Sequence, residues 1–152
     1  MEDTNMKVLD DFRGRQTEIS QMISDLRAIM TPEQLKIRPT AETAHRLLCD
    51  LGKCLKSHLS AEDKGVYPPL LTHEDPKLKS LAWGFISGQK PLRKQFESYH
   101  QRWLKDCNFE FTQDFMDATL ELFDAIETRI DRESSVLLPK LEQSGMFAGA
   151  SA

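Results

Sequence analysis

Six polar side chains occupy positions in the sequence where helical spacing requires an apolar residue. Burying a polar group without a partner costs about 1–3 kcal/mol, and an unpaired charge costs more. Such a set is tolerable if its members lie at the same height along neighbouring helices, where acids, bases and amides can pair. The alternative is that some of them lie at a solvated end of the molecule. The residues are Gln16, His58, Glu62, Gln89, Arg129 and Glu133.

An internal repeat indicates that these side chains converge. Residues 58–70 match residues 129–141, because in each stretch a glutamate lies four residues in and a proline follows six residues later. Residues 16–23 match residues 89–96, where a glutamine precedes two apolar residues at the same spacing. The halves therefore look like two copies of one helical hairpin. A pseudo-twofold bundle places equivalent positions opposite each other, so we expect both motifs around one interior point, flanked by the glutamines.

The elements that position these residues are predicted to be helices. Apolar residues recur at alternating spacings of three and four, which is typical of helices facing a bundle core. This spacing places Trp103 and Val136 in the core, and Pro68-Pro69 are expected to end the second helix. Asp75 and Thr112 are expected to cap the third and fourth helices. We predict one domain, 1–152, with an all-α, up-down-up-down four-helix bundle of two hairpins and helices at about 5–30, 41–66, 76–106 and 113–143.

Composition narrows the class of protein. The chain has 152 residues and a formal net charge of -4, which disfavours a general nucleic-acid binder because such proteins usually present a basic surface. No apolar run approaches the ~20 residues needed to cross a bilayer. The acidic N-terminus, with no apolar stretch after it, is unlike a secretory signal. Cys49, Cys54 and Cys107 form no CxxC pair and are expected to be reduced thiols of a cytoplasmic protein.

The motif around His58 resembles the second helix of hemerythrin-like, or HHE cation-binding, domains. The resemblance rests on His58-x-x-x-Glu62 followed by Val-Tyr-Pro-Pro-Leu at 66–70. Residues 129–142 are similar to the fourth helix of that family, and 89–93 to the start of its third-helix motif. Gln16 falls where a first-helix histidine is expected. The resemblance covers about 10–142, nearly the whole chain.

The resemblance implies a cofactor as well as a fold. Members of the family hold two non-haem irons with two HxxxE motifs and two further histidines, and they bind, sense or store oxygen, nitric oxide or iron. In this sequence Gln16 and Gln89 stand at histidine positions, and Arg129 replaces the fourth-helix histidine. A guanidinium stays protonated and has no lone pair to donate to a metal. The family ligands that are kept are His58, Glu62 and Glu133.

Three functions are compatible with this pattern. The favoured hypothesis is a metal-free binding or signalling module, without a cofactor, in which Arg129 pairs with Glu62 and Glu133 while the glutamines satisfy the remaining lone pairs. The second is a protein that keeps one non-haem iron on His58, Glu62 and Glu133 and senses oxygen or nitric oxide through this reduced ligand set. The third is a histidine phosphotransfer module acting through His45, although the lysine expected after it is absent.

No motif indicates an enzyme, because the sequence lacks opposed ExxH motifs, GxSxG, a glycine-rich phosphate loop and zinc-finger spacing. The expected partner is an unidentified protein and not a nucleic acid or a membrane. A basic face on the third helix is the first candidate for contact with an acidic partner. It is formed by Lys77, Lys79, Lys90, Arg93 and Lys94.

Overall fold

The computed structural model describes residues 3–106 and 112–147, and four long helices make up most of this part of the chain. Within these ranges the helices are α1 (Asp3–Ile29), α2 (Pro32–Leu35), α3 (Arg38–Ala61), α4 (Tyr67–Leu71), α5 (Pro76–Tyr99), α6 (Gln113–Arg132) and α7 (Leu138–Gln143). Three π-helical turns extend or join them, at Glu62–Val66, His100–Leu104 and Glu133–Leu137. The long helices α1, α3, α5 and α6 correspond to the predicted four, and the described residues contain no strand.

Neighbouring long helices run in opposite directions. Gln89 Nε2 of α5 donates to the carbonyl of Leu59 near the end of α3, whereas His45 Nε2 near the start of α3 lies 2.8 Å from the carbonyl of Leu104. The same reversal relates α1 to α3 and α5 to α6. This arrangement confirms the predicted all-α, up-down-up-down bundle. The contacts that show the other two pairs are Phe12 with His58, Glu18 with Cys54, Phe85 with Arg129, and Tyr99 with Thr119.

The predicted caps of the third and fourth helices are confirmed. Asp75 Oδ1 accepts a hydrogen bond of 2.9 Å from the Lys77 amide, and Thr112 Oγ1 accepts one of 3.2 Å from the Phe115 amide. These bonds satisfy amide groups that the start of a helix leaves without an internal partner. Helices α5 and α6 therefore begin where the sequence predicts.

The prediction that Pro68-Pro69 end the second helix is wrong. The chain passes through a π-helical turn after α3 and continues as α4 to Leu71. A proline lacks an N–H and its ring clashes with the carbonyl four residues earlier. In the wider turn the Tyr67 amide bonds instead to the Glu62 carbonyl. Pro68 then falls in the first turn of α4, where a missing N–H costs little.

The same widened turn occurs at the equivalent place in the second half of the chain. One turn begins at Glu62 and the other at Glu133, and Pro68 and Pro139 follow at the same spacing. The internal repeat of the sequence is therefore also a repeat of backbone conformation. The third turn, at His100–Leu104, has no proline after it, and nothing in the sequence explains it.

These turns shift the buried face of the helices that contain them, because a π-helical turn carries an extra residue. The sequence spacing predicts Val136 in the core, but it is 37% exposed and Leu137 is fully buried in its place. In the third helix Trp103 is only half-buried at the edge of the core, and Leu104 takes the buried position. A strict spacing of three and four does not hold across either turn.

The polar residues of the core separate two apolar clusters. Gln16, His58, Gln89 and Arg129 each lie, along their own helices, between residues of the first cluster and residues of the second. The bundle therefore buries its polar groups as one layer with hydrocarbon on both sides. The first cluster includes Ile23, Leu51, Phe96 and Leu122, and the second includes Phe12, Leu70, Phe85 and Leu141.

The sequence predicts that no segment crosses a membrane and that the cysteines are reduced. Among the described residues, no helix combines the length and the apolar character that a membrane span requires. Cys54 Sγ donates to Glu18 Oε1 at 3.4 Å, and burial together with this contact raises the pKa of the thiol to about 11. Cys107 lies outside the described residues.

Replacing Gly52 with alanine tests the close approach of α3 to α5. A Cβ at position 52 would overlap the ring of Phe96, which is buried. We therefore expect Gly52→Ala to lower the free energy of unfolding by about 1–3 kcal/mol, measured by urea denaturation. Gly14→Ala in α1 is the control, because a Cβ there meets no atom within 4 Å and should add about 0.5–1 kcal/mol of helix stability. Equal shifts in the two variants would contradict this packing.

Candidate functional site

The six predicted polar residues are all buried, and five of them contact one another directly or through a shared partner. Two glutamates begin the π-helical turns, so the widened backbone of each hairpin presents a carboxylate to the bundle interior. The exposed fractions are Gln16 6%, His58 1%, Glu62 0%, Gln89 5%, Arg129 9% and Glu133 0%. The alternative of a solvated end is therefore excluded for all of them.

The guanidinium of Arg129 joins the two carboxylates. Its Nε donates to Glu133 Oε2 at 3.1 Å, and its Nη2 donates to Glu62 Oε2 at 2.9 Å. Its Nη1 donates to the carbonyl of Phe85 at 2.7 Å, with the guanidinium carbon 5.1 Å from the centre of the Phe85 ring. One cation therefore bridges the two hairpins of the bundle through charge-assisted hydrogen bonds.

His58 closes the same pair of carboxylates from the other side. Its Nε2 lies 2.8 Å from Glu133 Oε1 and 2.9 Å from Glu62 Oε1. Its Nδ1 has no hydrogen-bond partner within residues 3–106 and 112–147, and the ring packs against Phe12 with centroids 5.0 Å apart. Each carboxylate thus faces the imidazole with one oxygen and the guanidinium with the other.

The pKa values follow from this mutual contact. Burial by itself lowers the pKa of His58, but the hydrogen bond with Glu133 and the close contact with the Glu62 carboxylate outweigh it and raise the value to about 9. Burial by itself raises the pKa of Glu62, but the contacts with His58 and Arg129 outweigh this effect and lower the pKa to about 2. Burial and the neighbouring Glu62 carboxylate raise the pKa of Glu133. With both acids ionised and His58 protonated, the four charges sum to zero.

The two glutamines differ in what they contact. Gln16 Nε2 donates to Glu133 Oε1 at 3.2 Å, and Ser134 Oγ donates to Gln16 Oε1 at 3.4 Å. Gln16 therefore satisfies a carboxylate, as predicted. Gln89 does not, because its Nε2 donates to the Leu59 carbonyl and its Oε1 accepts from Arg93 Nη2, each at 3.4 Å. The expectation that both glutamines serve the acids is wrong for Gln89.

Two residues of the site were missed from the sequence. Tyr67 OH accepts from Arg129 Nη2 at 2.6 Å and donates to Glu62 Oε2, so it belongs to the cluster. The internal repeat gave a clue to Tyr67, since this residue aligns with the apolar Leu138 in the second half of the chain. Gly88 is the other, because a Cβ at this position would lie 3.1 Å from Arg129 Nη1.

The remaining histidines lie away from this cluster. His45 is half-buried with its Nε2 against the Leu104 carbonyl, an arrangement that disfavours it as a phosphoryl acceptor. His73 Nδ1 accepts from the Asp75 amide in the connection before α5. The ring of His100 lies 6.3 Å from that of Phe96, at the other end of α5.

The sequence also matches the profile of a known protein family. The sequence profile described as Hemerythrin HHE cation binding domain matches residues 7–141. This chain belongs to the hemerythrin HHE cation-binding family. The match confirms the resemblance inferred from the helix motifs. No curated protein and no solved structure matches the chain.

The residues of this HHE domain do not fit a di-iron centre. Arg129 places a permanent cation between the two carboxylates that the metals would share. Gln89 faces a backbone carbonyl, and Gln16 already donates to Glu133. A smaller site is geometrically available, since one ligand atom from each of His58, Glu62 and Glu133 lies within 4.8 Å of the other two.

Stability should fall as pH rises from about 6.5 to about 9 in the metal-free protein, because the pKa of His58 is raised on folding. Protonated His58 contributes its full stabilisation at a pH below its pKa in the unfolded chain. This stabilisation is lost as the pH rises through its pKa in the folded protein. It amounts to at most ~3 kcal/mol, measured by urea denaturation across that range. His58→Gln should remove the slope, and His73→Gln should leave it unchanged. A slope that survives in His58→Gln would contradict the assignment.

A double-mutant cycle on Arg129 and Glu133 tests the strength of the bridge. Removing Arg129 alone, as Arg129→Met, leaves the carboxylates without their buried cation and should cost about 3–5 kcal/mol. We expect a coupling energy between Arg129→Met and Glu133→Gln of about 1–3 kcal/mol. The control cycle uses Arg38 and Glu42, which have the same spacing and an N–O distance of 3.1 Å but are exposed. That pair should couple by under ~0.5 kcal/mol. Equal coupling in both cycles would show that the buried bridge has no special role.

Proposed function

We propose that this HHE-domain protein works without metal, as a binding or signalling module whose interior is held by an ion cluster. The observation that carries the proposal is the bridging of Glu62 and Glu133 by Arg129. A guanidinium cannot be deprotonated in a protein, so Arg129 keeps a full positive charge against both carboxylates and repels a metal cation.

The surroundings of Arg129 support this proposal, because they accommodate the guanidinium specifically. Gly88 leaves the space that Arg129 Nη1 occupies, and the Phe85 carbonyl accepts its hydrogen bond. Tyr67 supplies a further acceptor on the opposite hairpin. A buried charge with this many partners is compensated, whereas the same carboxylates without a cation would be strongly unfavourable.

A role in recognition, and not in catalysis, agrees with the state of these groups. Both acids are engaged by cations, so neither is placed to exchange a proton with a substrate. The candidate contact surface is the basic face of α5, where Lys77, Lys79, Lys90 and Lys94 are exposed. Arg93 of the same face pairs with Asp63 at 3.2 Å. We propose a cytoplasmic protein partner with an acidic surface.

A second candidate function is supported by the spacing of the three family ligands. His58, Glu62 and Glu133 could together hold one ion, and Glu62 Oε1 accepts no hydrogen bond within the described residues. The family usually binds iron. Such a protein would sense oxygen or nitric oxide, and the ion would lie on the Oε1 atoms beside His58, opposite the Oε2 atoms that Arg129 contacts.

Elemental analysis of the protein purified from iron-supplied cells, without chelators, separates the two functions. The metal-free proposal predicts far less than stoichiometric metal and no visible bands of a bridged di-iron centre. Arg129→His, which removes the cation and restores the fourth-helix HxxxE motif, should bind more metal than the natural chain. Stoichiometric iron in the natural chain would reject the proposal. The second candidate would then be supported if His58→Ala lost the metal and His73→Ala kept it.

A further inference from the structure

A groove between α5 and α6 reaches the buried ion cluster from the surface. Its volume is about 360 Å³, which is within the range of pockets that hold small molecules. Two glycines of α5, Gly84 and Gly88, leave it open, while Phe85, Pro91 and Leu92 give it apolar walls. The Arg129 side chain lies at its base, so the groove and the cluster share one residue.

Among the described residues, the two charged side chains that line this groove are both arginines. Arg129 is 9% exposed, and Arg132 is exposed with its guanidinium carbon 5.7 Å from the centre of the Phe85 ring. Arg132 makes no ion pair with any carboxylate of the described residues. In the part of the chain that the structure describes, no acidic side chain lines the groove. The groove therefore presents the guanidinium of Arg132, unpaired within the described residues, beside an aromatic surface.

Arg129 keeps one donor for the groove. A guanidinium has five N–H bonds, of which Nε carries one and each Nη carries two. Nε and both N–H bonds of Nη2 have partners in Glu133, Glu62 and Tyr67. Nη1 has one partner, the Phe85 carbonyl. Its second N–H has no partner among the described residues, and Nη1 lies beside Gly88, which lines the groove.

We propose that this groove binds a small organic anion, a carboxylate with an apolar body. The carboxylate would accept hydrogen bonds from Arg132 and from the remaining N–H of Arg129, and the body would pack on Phe85 and Leu92. The apolar walls favour an organic anion over an inorganic one. The inference deepens the proposed function and rests on it, because Arg129 serves the groove only while it stays between the two glutamates.

Benzoate is the test ligand, and uncharged benzamide is its matched control. The full, metal-free chain is titrated with each, and amide shifts are followed by nuclear magnetic resonance. Saturable benzoate shifts at Gly84, Gly88 and Thr128 are expected, with benzamide at least about tenfold weaker. Arg132→Gln should weaken benzoate at least about tenfold. Arg46→Gln, which changes an exposed arginine of α3, should have no effect.

A second variant removes the space and leaves both arginines in place. A Cβ at Gly84 meets no atom within 4 Å, so Gly84→Leu should fill the groove without disturbing the fold and abolish benzoate binding. Gly14→Leu in α1, where a Cβ also meets no atom, should bind as the natural chain does.

Three results would overturn the inference: absence of saturable benzoate binding, equal binding of benzamide, or unchanged binding in Gly84→Leu. Metal content is measured on the same sample so that the two proposals fail separately. A metal-free chain that does not bind benzoate rejects the groove alone. Stoichiometric metal in the natural chain rejects the proposed function, and with it the role of Arg129 in the groove.

Discussion

The bridge from Arg129 to Glu62 and Glu133 is the interaction on which the rest of the structure depends. Two carboxylates inside an apolar bundle would repel each other and lose their hydration, so the fold needs positive charge between them. Arg129 supplies it on one side and His58 on the other. Because the acids belong to different hairpins, the bridge also fixes how the hairpins face each other. The bridge sets the register between the two hairpins, and it need not add net stability because burying charged groups is itself costly.

The backbone is adapted to this cluster in both halves. Each glutamate begins a π-helical turn, and each turn is followed by a proline that a regular helix would accommodate poorly. Gly88 gives the guanidinium room where any larger residue would touch it. The same lack of side chains on α5 leaves the groove that we propose as an anion site. The buried guanidinium is therefore accompanied by structural features on three helices, α3, α5 and α6.

Much of the fold and part of the site could be predicted from the sequence. The polar residues stood out because they interrupt an apolar spacing, and the repeat indicated that His58 and Arg129 meet across the bundle. The fold, the caps at Asp75 and Thr112 and the burial of the cluster followed from local chemistry. Val136 was misplaced because a π-helical turn adds a residue that no regular spacing anticipates. The partner of Gln89 and the hydroxyl of Tyr67 depend on side-chain directions, which spacing along one helix does not determine.

An HHE domain with a guanidinium between its carboxylates departs from the chemistry that the family usually uses. A metal-free ion cluster is tested most directly by a crystal structure of the protein soaked in excess ferrous iron under anaerobic conditions, with anomalous scattering measured at the iron edge. We expect Arg129 between Glu62 and Glu133 and no anomalous peak within bonding distance of His58. A strong peak on His58, Glu62 and Glu133, whether or not Arg129 turns away from the acids, would contradict a metal-free cluster.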